Sequence, residues 1–146
     1  MKMLRTIMAG ALAVTLATAC SDSTAPTDVT ADDLVGTWEA TALTFSVLGS
    51  PPIDILALGG GVTLVIRADD TYTVTFDDGE TSEVENGTYT LSAGVITITP
   101  DEAPEDAEEL TIVSLEGNTL TLSMTEVEEV GEVEVSGTMT MVLERQ

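Results

Sequence analysis

Residues 36–42 read Gly-Thr-Trp-Glu-Ala-Thr-Ala, and the strand-like pattern of the chain begins here. Trp38, the only tryptophan, shares one face of an extended strand with Ala40 and Ala42, since side chains alternate with a period of two. The apolar positions then slip by one residue and continue from Leu43. Because such a slip exchanges the two faces of a strand, we expect a bulge or bend near Ala42. We interpret the stretch as the first strand of a barrel, with Trp38 filling its closed end.

Short alternating strands continue from this point to the C-terminus. Apolar residues alternate with threonine or other polar residues, and short connections rich in Gly, Asp and Asn separate the strands. The return strand after Asp77-Asp78-Gly79 has an odd spacing between Val84 and Tyr89, which we both expect to point inward. We therefore expect an extra residue at Asn86-Gly87, accommodated as a bulge.

The pattern predicts an all-β domain, an eight-stranded antiparallel up-and-down barrel over residues 34–146. Sequential hairpins imply a meander, and an even number of strands with one apolar face can close without leaving an edge. The alternative is a β-sandwich, whose long crossings could only be residues 48–61 and 100–109. Residues 48–61 are apolar and suit a short helix, which either packs onto the barrel mouth or moves as a lid.

The N-terminus predicts secretion. Residues 1–19 contain Lys2 and Arg5, then an apolar run too short to span a bilayer, and no acidic residue, as in a signal peptide. Residues 16–20, Leu-Ala-Thr-Ala-Cys, resemble the lipobox of bacterial lipoproteins. That resemblance implies cleavage before Cys20, the only cysteine, and its lipidation, which would anchor the protein in a membrane. The alternative is an ordinary signal peptide followed by a chance cysteine.

The sequence from Cys20 to Asp33 indicates a tether and the membrane to which the protein is sorted. Residues 20–33 are rich in Ser, Thr, Asp and Pro without an apolar period, so we expect a flexible tether between the lipid and the barrel. Ser21 resembles the outer-membrane rather than the inner-membrane sorting signal of Gram-negative lipoproteins. We therefore expect a lipid-anchored protein of the cell envelope.

The charge is strongly acidic. The chain has 26 acidic and four basic residues and no histidine, and two of the basic residues lie in the predicted signal peptide. Such a charge repels nucleic acids and anionic lipid surfaces, so we expect no nucleic-acid partner. The acidic residues are spread over many loops, which favours a solvated surface of a salt-adapted protein over a surface that binds cations or a cationic partner.

The residue types argue against catalysis. Without histidine, and with one cysteine expected to be acylated, most nucleophilic triads and the usual zinc sites are excluded. A hydrolase with paired carboxylates would need an acid with a raised pKa in a cleft, and the expected inward positions are almost wholly apolar. Residues 77–80 could bind calcium weakly, but we favour a polar hairpin turn without an ion. We expect neither an enzyme nor a cofactor.

The chain resembles the bacterial lipocalin-like domains over nearly all of residues 34–146. The matching stretches are Gly36-Thr37-Trp38, Asp70-Thr71-Tyr72-Thr73, Gly87-Thr88-Tyr89-Thr90-Leu91, Leu120-Thr121-Leu122 and Leu143-Glu144-Arg145. In lipocalins a tryptophan and a late arginine pack together at the closed end. The resemblance therefore implies a cation–π contact between Trp38 and Arg145, or failing that between Trp38 and Arg67.

Two functional hypotheses follow. The first is a binding module that holds a small hydrophobic ligand inside the barrel. The residues that could contact the ligand are Trp38, Tyr72, Phe76, Tyr89, Met124 and Met141. The second is a structural or interaction lipoprotein with a filled barrel, which meets a protein partner in the envelope. Barrels of this size either hold one small ligand or are filled by their own side chains, so the sequence leaves both hypotheses open.

Overall fold

The computed structural model describes residues 23–24, 26–47, 50–130 and 133–146. These residues form ten strands and one short helix, α1 (Ala31–Leu34), with 3-10 turns at Pro26–Asp28, Leu56–Leu58 and Pro104–Asp106. The strands are β1 (Ser23–Thr24), β2 (Gly36–Val47), β3 (Ile53–Asp54), β4 (Gly61–Ile66), β5 (Thr71–Asp77), β6 (Ser82–Ser92), β7 (Val95–Pro100), β8 (Glu108–Glu116), β9 (Thr119–Val130) and β10 (Val133–Arg145). No helix in these ranges is long and apolar enough to cross a membrane.

Eight of the strands in the described ranges close into a barrel. Each strand from β4 to β10 pairs antiparallel with the next one along the chain, and β2 pairs with both β4 and β10. The eight-stranded up-and-down barrel predicted from the alternating pattern is therefore confirmed, and the β-sandwich is wrong. The short strands β1 and β3 lie outside this ring and pair with β8 and β2 respectively.

The bend expected in the first strand is present. Val142 pairs with Ala42 and Leu143 pairs with Ala40, so Thr41 is an extra residue in β2. The bulge moves the inward face from Trp38 and Ala40 to Leu43, which is why Leu43 is buried although its spacing from Trp38 is odd. The slip in the sequence pattern near Ala42 therefore marks a real bulge.

The alternating strands give the barrel two different ends. The turns at residues 67–70, 93–94 and 117–118 lie at the closed end, together with α1 and the C-terminus. The longer connections at residues 50–60, 78–81 and 101–107 lie at the open end. Helix α1 seals the closed end because Leu34 is fully buried against the core, along with Trp38, Leu120 and Leu143.

The N-terminal segment reaches the barrel at the closed end. Ser23 pairs with Glu116, and residues 26–34 form the 3-10 turn and α1, in which Val29 and Leu34 are buried. Residues 23–24 and 26–33, which we expected to form part of a flexible tether, thus contact the barrel, through the pairing of β1 and through Val29, which is buried with the adjoining Leu34. Residues 1–22, including Cys20, lie outside the described residues.

Candidate functional site at the open end

A cavity of about 340 Å³ opens between the segment of residues 53–60 and the β5–β6 hairpin. Its walls combine apolar side chains from the barrel with carboxylates from the hairpin. The cavity is lined by Leu43, Ile55, Leu56, Leu58, Gly60, Gly61, Val62, Phe76, Asp77, Asp78, Thr81 and Glu83. Its volume is at the low end of the range for small-molecule sites, and a largely apolar wall with a few polar groups is usual in such sites.

The mouth segment, residues 53–60, is held over this cavity by a few specific bonds. The Ile55 amide donates to the Leu43 carbonyl at 2.8 Å, and β3 pairs with β2. The Asp54 carboxylate accepts from the amides of Leu56 and Ala57 at 3.0 and 3.3 Å, which starts the 3-10 turn. Ile55 and Leu56 pack on the core, so the segment packs onto the mouth as in the first of our two interpretations.

Apolar surface remains exposed around this opening. Leu58 is 77% exposed and Phe76 is 47% exposed, although Phe76 follows Tyr72 and Val74 on the inward face of β5. Phe76 therefore lies less deeply in the barrel than we expected. Phe76 is one residue from the end of β5, where the barrel opens, so its ring lies at the rim and lines the cavity.

The register of β6 differs from the sequence expectation. Tyr72 pairs with Gly87, Val74 with Glu85 and Phe76 with Glu83, without any interruption, so no bulge occurs at Asn86-Gly87. Directly paired residues share a face of the sheet, so Glu83 and Glu85 lie on the inward face. Val84 lies on the outer face and is 61% exposed. The prediction that Val84 points inward is therefore wrong. It was based on the general rule that apolar residues of a strand face the core.

Gly87 explains why this register holds. A Cβ atom at Gly87 would lie 2.7 Å from the Tyr72 ring and 2.2 Å from the Thr99 carbonyl oxygen. Only glycine therefore allows the Tyr72 ring to approach the β6 backbone this closely. The close approach of a ring to the backbone, rather than an extra residue, is the reason for a glycine at this position.

Glu85 is tied to the barrel interior through Tyr72. The Tyr72 hydroxyl, on a ring that is almost fully buried, donates to Glu85 Oε1 at 2.7 Å. Burial raises the pKa of Tyr72 well above its usual value, and the hydrogen bond to Glu85 raises it further. The sequence pattern does not identify Glu85 as an inward residue, because the apolar residue Val84 next to it suggests the opposite alternation.

A second, larger cleft of about 710 Å³ adjoins the first one. It lies between the upper part of β6 and the loop of residues 101–107, beyond the point where β6 stops pairing with β7. Phe76 and Glu83 line both the cleft and the cavity. Six acidic residues line the cleft: Glu83, Glu85, Asp101, Glu102, Asp106 and Glu108.

The other predicted interior residues lie away from this opening. Tyr89 is buried, and its hydroxyl donates to the Arg67 carbonyl at 3.2 Å, at the closed end. Burial raises the pKa of Tyr89. Met124 and Met141 are partly buried and pack against the core, and neither lines the cavity or the cleft. Tyr72, Tyr89 and the two methionines thus form part of the packed interior.

The closed end holds Trp38 and Arg145 together. The Trp38 indole N–H donates to the Leu34 carbonyl at 2.8 Å, and the guanidinium carbon of Arg145 lies 4.4 Å from the Trp38 ring centroid. Arg145 also donates to the carbonyls of Val35, at 3.1 Å, and Asp33. This is the contact that the resemblance implied, with Arg145 rather than Arg67 as the partner. It places Trp38 below the cavity, in the structural part of the barrel.

The carboxylates of Asp77 and Asp78, in the acidic hairpin at residues 77–80, accept hydrogen bonds from backbone amides of the same turn. Asp77 Oδ1 accepts from the Gly79 amide at 2.8 Å, and Asp78 Oδ1 accepts from the amides of Glu80 and Thr81. These bonds hold the pKa of Asp78 below its usual value. In the part of the chain that the structure describes, no three or more His, Cys, Asp or Glu side chains are grouped to hold a metal ion.

The lipocalin-like domain family matches residues 34–122 of the sequence. A search of the curated proteins finds no match. Among solved structures, an uncharacterized protein from Bacteroides eggerthii is similar, with 12% identity, a TM-score of 0.49, and coverage of 75% of this chain and 98% of that one. A DUF3598-family protein from Nostoc punctiforme, of unknown function, has 17% identity and a TM-score of 0.41, with 81% and 49% of the two chains covered. A protein from M. tuberculosis has 16% identity and a TM-score of 0.35, with 78% and 93% covered.

Proposed function

Because the chain belongs to the lipocalin-like domain family, we propose that its barrel binds a small hydrophobic molecule at the open end. The observation that carries the proposal is the cavity of about 340 Å³, whose apolar wall is formed by Leu43, Val62 and the mouth segment. Phe76 and Leu58 expose apolar surface at its entrance. Exposed apolar side chains around a concave site are typical of ligand or partner binding.

The proposal places the ligand at the mouth and not deep in the barrel. Trp38, Tyr72, Ile96 and Ile112 are almost fully buried, and the closed half is filled by them and their neighbours. A ligand at the mouth would therefore contact Phe76 and the mouth segment, whereas Tyr89, Met124 and Met141 would support the walls. This is a smaller site than the one that we expected from the sequence.

The lipid anchor and the envelope location belong to the same proposal. They are supported by the signal-like residues 1–19 and by the lipobox-like sequence that ends at Cys20. We expect the protein to partition into detergent after extraction from envelope membranes. Cys20→Ser should move it to the aqueous phase and remove the acyl mass from the N-terminal peptide. An aqueous wild-type protein with an unmodified Cys20 would overturn the anchor.

We propose that the protein binds its small hydrophobic ligand without catalysing a reaction. This proposal is supported by the absence of histidine from the chain and by the predominantly apolar core.

A second candidate function is a structural or interaction lipoprotein without a ligand. It is favoured by the filled closed half of the barrel and by exposed apolar residues at or near the rim, which could contact an envelope protein. Ile53 and Val84 are more than half exposed.

Native mass spectrometry of the protein purified from its own envelope separates the two candidates. A reproducible additional mass that is lost on denaturation would establish a bound ligand and identify it. A protein without added mass, which also takes up nothing from an envelope lipid extract, would overturn ligand binding and support the interaction lipoprotein.

A further inference from the structure

We propose that the open end selects hydrophobic ligands that carry a positive charge and excludes anionic, fatty-acid-like ones. The inference rests on the proposed ligand-binding function and adds the charge class of the ligand. It follows from where the charged side chains lie relative to the cavity, the cleft and the closed end.

Carboxylates line the hairpin side of the apolar cavity. Asp77, Asp78 and Glu83 line it, and the adjoining cleft adds Glu85 and four acidic residues from the loop of residues 101–107 and the start of β8. A ligand whose apolar part lies against Leu43 and Val62 must leave its polar end near these groups. A positive head would be attracted there and a negative head repelled, more strongly than in bulk water.

The cations of the barrel lie at the opposite end. Arg67 and Arg145 are the only basic residues after residue 19. Arg67 donates to the Thr73 hydroxyl at 3.0 Å, near the turn at residues 67–70, and Arg145 lies over Trp38. Neither lines the cavity or the cleft, so an anionic head at the mouth would meet no positive side chain.

Glu83 and Phe76 form the point at which a positive head would bind. They are directly paired across β5 and β6, and both line the cavity and the cleft. Within the described ranges Glu83 makes no side-chain hydrogen bond, so its carboxylate is available to a ligand. An exposed aromatic ring attracts cations through its face, and the neighbouring carboxylate adds a charge of the favourable sign.

Asp77 and Asp78 contribute charge but are poor sites for a test, because their carboxylates hold the hairpin turn. Glu83 is the residue whose change removes a charge without removing a structural bond. Glu116 is its matched control, since it is also exposed and on a strand, but it ends β8 at the closed end.

The test compares three octyl ligands with different head charges. Octyltrimethylammonium, octyl glucoside and octanoate are titrated calorimetrically, below their micelle concentrations, into the full chain carrying Cys20→Ser, so that no acyl chain competes. We expect the ammonium ligand to bind most tightly and octanoate most weakly. High salt should reduce the difference, because it screens charges at the surface.

Glu83→Gln should weaken binding of the ammonium ligand by about threefold to fivefold at low salt, as expected for one partly exposed charge pair, and leave octyl glucoside unchanged. Glu116→Gln should have no effect on either. Octanoate binding as tightly as the ammonium ligand, or an equal effect of Glu83→Gln and Glu116→Gln, would overturn the charge selection while leaving ligand binding intact. Failure of all three ligands to bind would overturn the proposed function and the inference with it.

Discussion

Gly87 shows how closely the barrel wall is packed around its aromatic residues. The ring of Tyr72 lies against the position where a side chain at residue 87 would begin, and the Thr99 carbonyl lies on the other side. A methyl group would have to displace backbone as well as the ring, and backbone has little freedom inside a closed sheet. Packing at this one position therefore depends on the smallest residue.

Gly87→Ala should lower the free energy of unfolding by about 1–3 kcal/mol, the usual cost of overpacking a filled core. Gly61→Ala is the control, because a Cβ atom there meets its nearest neighbour at an ordinary 3.9 Å. Chemical denaturation followed by Trp38 fluorescence measures both. Equal stability of the two variants would show that the barrel can move the Tyr72 ring aside without cost.

The two tyrosines are the only ones in the chain, and both should resist ionisation. Their pKa values are raised by burial, so the folded state loses stability as the pH rises above the ordinary tyrosine pKa of about 10. Ultraviolet titration at pH 10 should show less phenolate in the folded protein than in denaturant, where about half of both tyrosines are ionised. Equal amounts of phenolate in the two states, without loss of structure, would contradict the burial of the tyrosines.

At the scale of the element, the mouth segment depends on Asp54. Its carboxylate satisfies two amides at the start of the 3-10 turn, and Gly59 ends that turn with a left-handed conformation, φ +100°. Gly60 also lies close to the hairpin, since a Cβ atom there would be 3.1 Å from the Asp77 carbonyl. The segment is therefore fixed at both ends.

Asp54→Ala should loosen the mouth segment by about 1 kcal/mol, the usual cost of removing a capping side chain, without unfolding the barrel. Amide hydrogen exchange should speed up at Leu56 and Ala57 and stay unchanged in β9 and β10. Asp54→Asn keeps the acceptor oxygen, so it should restore slow exchange. Slow exchange in the Ala variant would mean that packing of Ile55 and Leu56 alone holds the segment.

The strands themselves were largely predictable from the sequence, and β6 shows the limit. The slip at Ala42 revealed the bulge in β2, because apolar residues face the core on both sides of it. In β6 the same reasoning failed. The strand continues to the open end, where the inward face meets water and carries Glu83 and Glu85. Alternating apolar residues identify the inward face of a strand only where that face is buried in a core. At the open end it is not buried, so the pattern could not locate the candidate site.

On the scale of the whole molecule, the dominant feature is uncompensated negative charge. Without the predicted signal peptide, the chain has twenty-six acidic residues and only two arginines. Both arginines make contacts at the closed end. Repulsion among the carboxylates opposes the compact state. The barrel therefore depends on the ions of its surroundings as well as on its own contacts.

Thermal stability should rise with ionic strength, because the screening length falls from about 30 Å at 0.01 M to about 3 Å at 1 M salt. Melting followed by circular dichroism in sodium chloride checks this. Potassium chloride should give the same increase if screening is the cause. A melting temperature that does not change with either salt would show that the acidic residues are too far apart to matter.

In the lipid-anchored form that we propose, the entry of the chain at the closed end would also set the direction in which the barrel faces. Only residues 21–22 separate Cys20 from β1, so the three residue steps from Cys20 to Ser23 span about 11 Å at most. A barrel tethered so closely by an acyl chain would stand upright on the bilayer, with α1 towards the lipid headgroups and the mouth towards the aqueous compartment. Cargo would then be exchanged with that compartment or with a facing protein, and not with the leaflet in which the protein is anchored.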